Sequence, residues 1–129
     1  GRRGVLDTAE PETAAAVKRT VTIYNKVRPF MLGDFYPLFA HDASEGAWYG
    51  YQFHRPDLDA GIAVIFRRDK SPEATQAVHL RGIDPKVRYE VVFEDSGEKK
   101  TEQGRSLAAL PVSIPSAPGS AIIYYRRMK

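Results

Sequence analysis

The sequence contains no cysteine among its 129 residues, and it has no apolar run near the roughly twenty residues that a membrane-spanning helix needs. The first absence excludes disulfide bonds, thiolate metal sites and cysteine nucleophiles. The second leads us to expect no contact with a membrane. A signal peptide is not visible either. Because the chain begins Gly-Arg-Arg-Gly rather than with Met, we expect it to be part of a longer protein, and its compartment stays open.

Recognisable catalytic motifs are also missing. The sequence has no phosphate-binding glycine loop and no Gly-x-Ser-x-Gly elbow. His41, His54 and His79 lack the spacing of metal-ligand motifs, and we interpret them as surface or hydrogen-bonded structural residues. Asp57 and Asp59 form an Asp-x-Asp pair, but no further calcium ligands follow, which favours a role in a turn. We therefore predict no catalytic residue, no metal and no cofactor in this chain.

Charges of both signs are nearly balanced, with 19 Lys and Arg against 16 Asp and Glu, for a net charge of +3. The arginine doublets at 2–3, 67–68 and 126–127 lie far apart in the sequence. This spacing favours solvated strand ends or a partner surface over a polyanion site. We therefore predict that the chain does not bind nucleic acid. Its 43% hydrophobic content is ordinary for a globular protein, so a packed core is expected.

A helical pattern extends from residue 12 to residue 26, and Pro29 is expected to end it. Apolar residues spaced by three or four form one stripe: Ala14, Val17, Val21 and Tyr24. β-Branched residues weaken the intrinsic helix propensity, so this helix needs a partner surface. We expect Val17, Val21 and Tyr24 to pack against a neighbouring domain. On this hypothesis, Val21→Asp destabilises the domain by about 2 kcal/mol or more.

Everything after residue 32 has the pattern of β-strands. Seven segments show it, at 33–39, 47–54, 61–66, 76–80, 87–94, 110–114 and 121–125. Short, evenly spaced strands without helices between them predict an antiparallel β-sandwich or barrel rather than a parallel sheet. The predicted fold class is therefore mainly β, an immunoglobulin-like sandwich with one N-terminal helix. We divide it into a lead and helix, 1–31, and a sandwich domain, 32–129.

Two aromatic features lie within the strands. In 47–54, Tyr49, Tyr51 and Phe53 share one face by alternation, and we expect that face to be buried. Trp48 points the other way. We expect it to pack against the helix or a neighbouring domain, and an alternative is that its ring binds carbohydrate. The segment 80–89 turns at Asp-Pro and re-enters with a tyrosine, which is typical of the corner in fibronectin-like sandwiches.

A series of short motifs follows in a fixed order. They are Tyr-Asn-Lys-Val-Arg-Pro at 24–29, Gly-Asp-Phe-Tyr-Pro-Leu at 33–38, Ala-Trp at 47–48, Ala-Val-Ile-Phe-Arg at 63–67, and Leu-Arg-Gly-Ile-Asp-Pro at 80–85 followed by Tyr89. Together they resemble the tail of glycoside hydrolase family 36, the α-galactosidases or melibiases. The resemblance covers residues 24 to 125, which is most of the chain.

This resemblance implies that the helix is the last helix of a catalytic α/β barrel and that the strands form a C-terminal β-sandwich. It implies a retaining glycosidase whose two catalytic Asp residues would lie upstream of this chain. In the family the sandwich is structural, covers part of the barrel and in some members contributes to oligomer contacts. The implied partners are therefore the N-terminal barrel of the parent, a second copy in a homo-oligomer, and galactosides only through the parent.

Our leading hypothesis is a non-catalytic C-terminal β-sandwich domain of an α-galactosidase-like enzyme that braces the barrel. One alternative is a carbohydrate-binding module that uses Trp48. Another is a fibronectin-like protein-interaction module from an unrelated parent, which predicts that the helix can be deleted without loss of stability.

Overall fold

The computed structural model describes residues 11–39 and 47–129, with side chains from Ala14 onwards. One helix, α1 (Pro11–Val27), precedes the strands, and a 3₁₀ turn containing Pro29 follows its end. The strands are β1 (Asp34–Pro37), β2 (Trp48–Arg55), β3 (Ala60–Arg67), β4 (Thr75–Val78), β5 (Arg88–Phe93), β6 (Glu98–Gln103), β7 (Leu110–Ser113) and β8 (Gly119–Arg127). The predicted fold class, mainly β with one N-terminal helix, is confirmed. The division at residue 31 stays a prediction.

Six strands form one antiparallel sheet in the order β1-β2-β3-β8-β5-β6, and β4 pairs with β7 in a second, two-stranded sheet. We call the face of the large sheet that β4 and β7 cover the inner face, and the face that α1 crosses the outer face. Since successive side chains of a strand alternate between faces, each central strand contributes to both. The domain therefore has two hydrophobic layers that share one sheet.

The side chains at the centre of the inner layer are fully buried within this chain. Its fully buried members include Ile65, Tyr89, Val91 and Ile123 from the large sheet. The second sheet adds Val78, Leu110 and Val112, and the 3₁₀ turn Gly104–Ala109 adds Leu107. The main-chain N–H of Leu80 donates to the carbonyl of Leu107 at 2.9 Å, which holds that turn against the sheet.

Strand β6 was not among the predicted strands. Its sequence, Glu-Lys-Lys-Thr-Glu-Gln, contains no apolar residue and therefore no hydrophobic alternation. It lies at the edge of the sheet, where it pairs with β5 and exposes almost all of its side chains. Charged edge strands of this kind discourage pairing with other chains. The signal that would have identified it is the Asp-Ser-Gly turn before it rather than its own composition.

The helix packs on the outer face through a different stripe from the one predicted. Ile23 and Val27 are 8% and 4% exposed and contact the large sheet at Ile62, Val64 and Ile122. Val21 and Tyr24, by contrast, are 52% and 54% exposed. The prediction that Val21→Asp destabilises the domain stays a prediction, and the half-exposed position of Val21 leads us to expect a small effect in the chain by itself.

Polar contacts fix the side of the helix opposite the exposed stripe. Arg19 Nε donates to Ser120 Oγ at 3.0 Å, and Arg19 and Lys26 both form ion pairs with Glu94, at 3.8 and 3.6 Å. Pairs that are this open to solvent stabilise only weakly. Their role is to set the position of the helix across the sheet.

The predicted corner tyrosine is confirmed. Tyr89 is fully buried, and its hydroxyl accepts a hydrogen bond from the upstream main-chain N–H of Asp84 at 3.0 Å. The same hydroxyl donates to the carboxylate of Asp59, at 2.9 and 3.0 Å from its two oxygens. The Tyr89 hydroxyl therefore links the segment before β5 to the turn between β2 and β3.

Candidate docking surface

A buried polar cluster on the inner face is the first place to look for chemistry. Gln52, His54 and Tyr125 are between 0% and 3% exposed. Gln52 Nε2 donates to the Tyr125 hydroxyl at 2.6 Å, which leaves that hydroxyl to donate to His54 Nδ1 at 2.7 Å. Gln52 also exchanges two 2.8 Å hydrogen bonds with the main chain of Arg81. Every member thus has a partner inside the fold.

The electrostatics of this cluster favour its neutral forms. Burial lowers the pKa of His54, and the nearby Asp59 and Asp34 offset this effect only in part. Burial also raises the pKa of Tyr125, and it raises the pKa of Tyr89 to about 12. At neutral pH these groups are uncharged, enclosed and bonded to one another. The cluster therefore stabilises the interior and offers no reactive group to a ligand.

Trp48 is also part of the interior. Its ring is 3% exposed, and its indole N–H donates to the carbonyl of Glu73 at 3.1 Å. The ring also meets Phe39 edge-on at 6.3 Å. Trp48 does point away from Tyr49, as predicted, but it packs between the two sheets rather than against the helix. This burial corrects the alternative in which its ring is a sugar-binding platform, because neither ring face is open to a ligand.

The two carboxylates of the Asp-x-Asp pair have structural partners. Asp57 forms an ion pair with Arg55 at 2.7 Å in the turn after β2, and Asp59 binds the corner tyrosine. His79 is exposed, and His41 lies outside the described residues. In residues 11–39 and 47–129, no three His, Cys, Asp or Glu side chains form a group that could hold a metal. Over the same residues, α1 is too short and too polar to cross a bilayer.

The outer face, in contrast, is open. An apolar groove of about 400 Å³ runs between α1 and the β1–β2 edge of the large sheet. Its lining residues are Thr20, Ile23, Tyr24, Val27, Met31, Phe35, Tyr51, Phe53 and Phe66. This groove contradicts the prediction that Tyr49, Tyr51 and Phe53 form a buried face: Tyr49 is 43% exposed, and the other two are only partly covered. The helix is too narrow to cover the full width of the sheet.

Rings in and beside the groove are packed against one another. Phe35 meets Phe53 at 5.2 Å and Tyr51 at 6.1 Å, while Tyr49 stacks on Phe66 at 4.8 Å. Contacts at these separations fix the orientation of aromatic side chains. The groove is therefore bordered by a preorganised aromatic surface, and a partner that binds it would pay little ordering entropy.

The apolar stripe of the helix, in which Val21 and Tyr24 are exposed and Val17 is partly buried, extends this surface. Val17, Val21 and Tyr24 are spaced by four and three residues and so lie along one side of α1, and Tyr24 also lines the groove. Aromatic side chains bury about 150–250 Å² each, so Tyr24, Phe35 and Tyr49 at about half exposure leave on the order of 300 Å² open. That is already within the range of the largest apolar patch on a typical monomer.

These features define an antiparallel β-sandwich domain with a closed interior and an open apolar face. Solved α-galactosidase structures share its fold. The galactosidase domain of the α-galactosidase–sucrose kinase AgaSK matches with a TM-score of 0.67 at 18% identity. The GH36 α-galactosidase AgaB from Geobacillus stearothermophilus gives 0.61 at 23%, and a variant of AgaA from the same organism, in complex with raffinose, gives 0.63 at 21%.

Each of these matches covers 92% of this chain and 16% of the solved one. The chain therefore has the fold of a small part of such enzymes, as its resemblance to glycoside hydrolase family 36 predicted. No protein-family model and no curated protein matches the sequence.

Proposed function

We propose that this chain is the non-catalytic C-terminal β-sandwich domain of an α-galactosidase-type glycoside hydrolase, and that it braces the catalytic barrel of that enzyme. Galactosides would then bind to the parent enzyme and not to this chain. The observation that carries the proposal is the exposed apolar surface formed by the groove and by the helix residues Val17, Val21 and Tyr24.

The size of this surface supports a docking role. Covering about 300 Å² of exposed ring surface is worth roughly 7 kcal/mol before any cost of association is subtracted. A domain tethered to its partner in one polypeptide has a small association cost, because docking is intramolecular. The partial coverage of the solved α-galactosidases, at 16% of their length, leaves space in such an enzyme for a barrel as that partner.

The structure of the helix bears on the rival hypothesis of a free-standing interaction module, which predicts that the helix is dispensable. Ile23 and Val27 cover apolar side chains of three central positions of the sheet, Ile62, Val64 and Ile122. Removing the helix would expose them to water, so we expect its deletion to unfold or aggregate the chain. One side of the helix covers the sheet, and another side is apolar and open. Such a helix fits a position between two domains.

The test is to translate and express the coding sequence immediately upstream together with this chain. The complete protein should contain a barrel with paired Asp residues and should hydrolyse p-nitrophenyl α-galactoside, whereas the 129-residue chain should not. An upstream region without such a barrel would overturn the proposal. So would galactoside hydrolysis by the chain alone that is abolished by substituting one of its own carboxylates.

A further inference from the structure

Arg68 lies beside the aromatic surface, and none of the described residues pairs with its charge. It follows β3, and its guanidinium carbon lies 4.5 Å from the centre of the Tyr49 ring. Its Nε–H is buried and has no hydrogen-bond acceptor. In residues 11–39 and 47–129, no carboxylate forms a salt bridge with it, and the adjacent Asp69 is exposed to solvent. Arg68 is therefore a partly buried cation with one buried N–H that no described residue accepts.

The neighbouring arginine has hydrogen-bond acceptors for its guanidinium within this fold. Arg67 donates to the carbonyls of Ser71, Ile114 and Pro115, at distances from 2.8 to 3.3 Å. These acceptors all lie within the domain, and the hydrogen bonds hold the end of β3 against the segment after β7. Arg68, the next residue, turns to the outer face, where its guanidinium lies against the Tyr49 ring.

A second arginine lies over a tyrosine of the outer face. Arg28 follows α1, and its guanidinium carbon lies 5.7 Å from the centre of the Tyr24 ring, which lines the groove. The next residue, Pro29, accepts a hydrogen bond from Arg55 at the far end of β2, whereas Tyr49 lies at the start of that strand. Two arginines therefore lie over tyrosines in different parts of the outer face, and the described residues provide neither with a carboxylate.

We propose that the element of the parent enzyme that covers this groove is an apolar segment carrying carboxylates, one of which pairs with Arg68 and another with Arg28. This inference rests on the proposed function and specifies the chemistry of the partner. Any surface that covers Tyr49 must also remove Arg68 from water, and an unpaired guanidinium is costly to bury. A carboxylate supplies the planar, two-point acceptor that a guanidinium fits.

The experiment compares the same substitutions in the complete protein and in the 129-residue chain. Arg68→Glu reverses the charge, Arg68→Gln removes it, and Tyr24→Ala together with Phe35→Ala removes apolar contact area. Arg105→Glu is the matched control, because Arg105 is an exposed arginine on the 3₁₀ turn that packs on the inner face. The measurement is the melting temperature of each protein, with circular dichroism to verify the fold.

If the proposal is correct, Arg68→Glu lowers the melting temperature of the complete protein at least about twice as much as that of the chain alone, and Arg68→Gln has a smaller effect of the same sign. Arg105→Glu changes both proteins equally. If only the apolar double variant is more harmful in the complete protein, the carboxylate proposal is overturned and the proposed function stands. If neither kind of variant distinguishes the two proteins, both proposals are overturned.

Discussion

The two faces of the large sheet carry apolar residues in similar number but differ in how they are covered. On the inner face, Trp48 and Ile65 are buried, and even the polar side chains of Gln52 and His54 have partners. On the outer face, Tyr49 remains 43% exposed, and a groove of about 400 Å³ separates the helix from the sheet edge.

The difference is that this chain buries the side chains of its inner face and leaves part of its outer face open. A domain that folds for itself alone tends to bury its aromatic residues and expose its polar ones. Strand β2 departs from this rule in part, because it sends Gln52 and His54 inward beside Trp48 and turns Tyr49 and Tyr51 outward. This arrangement supports the proposal that another part of the parent enzyme covers the outer face.

The largest expected effect is on the inner face. Ile65→Ala removes a side chain with 0% exposure and leaves a cavity, which should lower the free energy of unfolding by about 2–5 kcal/mol. Phe35→Ala on the outer face removes a larger side chain, but that side chain is 56% exposed and should cost less than about 1.5 kcal/mol. Urea denaturation of the chain measures both. Equal losses would contradict the distinction between the faces.

A smaller effect is expected from the hydroxyl groups. Tyr125→Phe removes the acceptor of one Gln52 N–H and the donor to His54 Nδ1 in a dry interior, at a cost of about 1–3 kcal/mol. Tyr49→Phe is the matched control on the outer face, where we expect a change within about 0.5 kcal/mol. The same urea titration measures the pair. A Tyr125→Phe variant as stable as the wild type would show that the polar cluster does not support the inner face.

The pH dependence of stability should also depend on the inner face. Burial places the pKa of His54 below its ordinary value, so the folded chain resists protonation there. Unfolded histidine titrates near about 6.5, and below that pH the unfolded chain binds the additional proton. The stability that neutral His54 contributes is fully present above the pKa of the unfolded histidine. It is therefore lost as the pH falls from about 7.5 to about 5.5.

His54→Gln should reduce this loss of stability, whereas His79→Gln, at an exposed position, should preserve it. Thermal melts at several pH values in that interval make the measurement, and the interval stays above the usual range of carboxylates at about 4. A His54→Gln variant with the full wild-type slope would assign the pH dependence to another group.

Alternation and turn residues were sufficient to predict most of the fold. They located seven of the eight strands, the corner at Tyr89 and the end of the helix, because each rests on local chemistry. They could not locate β6, whose charged sequence forms a strand only because β5 offers an unpaired edge. They also assigned the wrong face of β2 to the interior, since the burial of Gln52 and His54 depends on Tyr125, more than seventy residues away.

The candidate docking surface was predictable only in outline. Its helix residues were expected to pack against a neighbouring domain, and two of them, Val21 and Tyr24, are exposed in this chain. Its sheet residues, above all Phe35 and Tyr49, were missed, because alternation shows which side chains share a face and not whether another element covers it. Arg68 was noted only as part of a doublet. That no described residue pairs with its charge is a property of the folded chain.

The smallest expected effect is at the helix stripe, where sequence alone predicted a large one. Val21→Asp places a charge on a half-exposed position and should change the stability of the isolated chain by about 0.5 kcal/mol or less. Ile23→Asp, two residues away, buries a charge against the sheet and should unfold the chain or cost about 3 kcal/mol or more. Thermal denaturation of both variants measures the contrast.

A large loss from Val21→Asp in the isolated chain would mean that α1 is rotated relative to this description, which would also remove the basis for an open outer face. If the outer face is a docking face, the same Val21→Asp change becomes costly in the complete enzyme, because there the charge would be buried against the barrel.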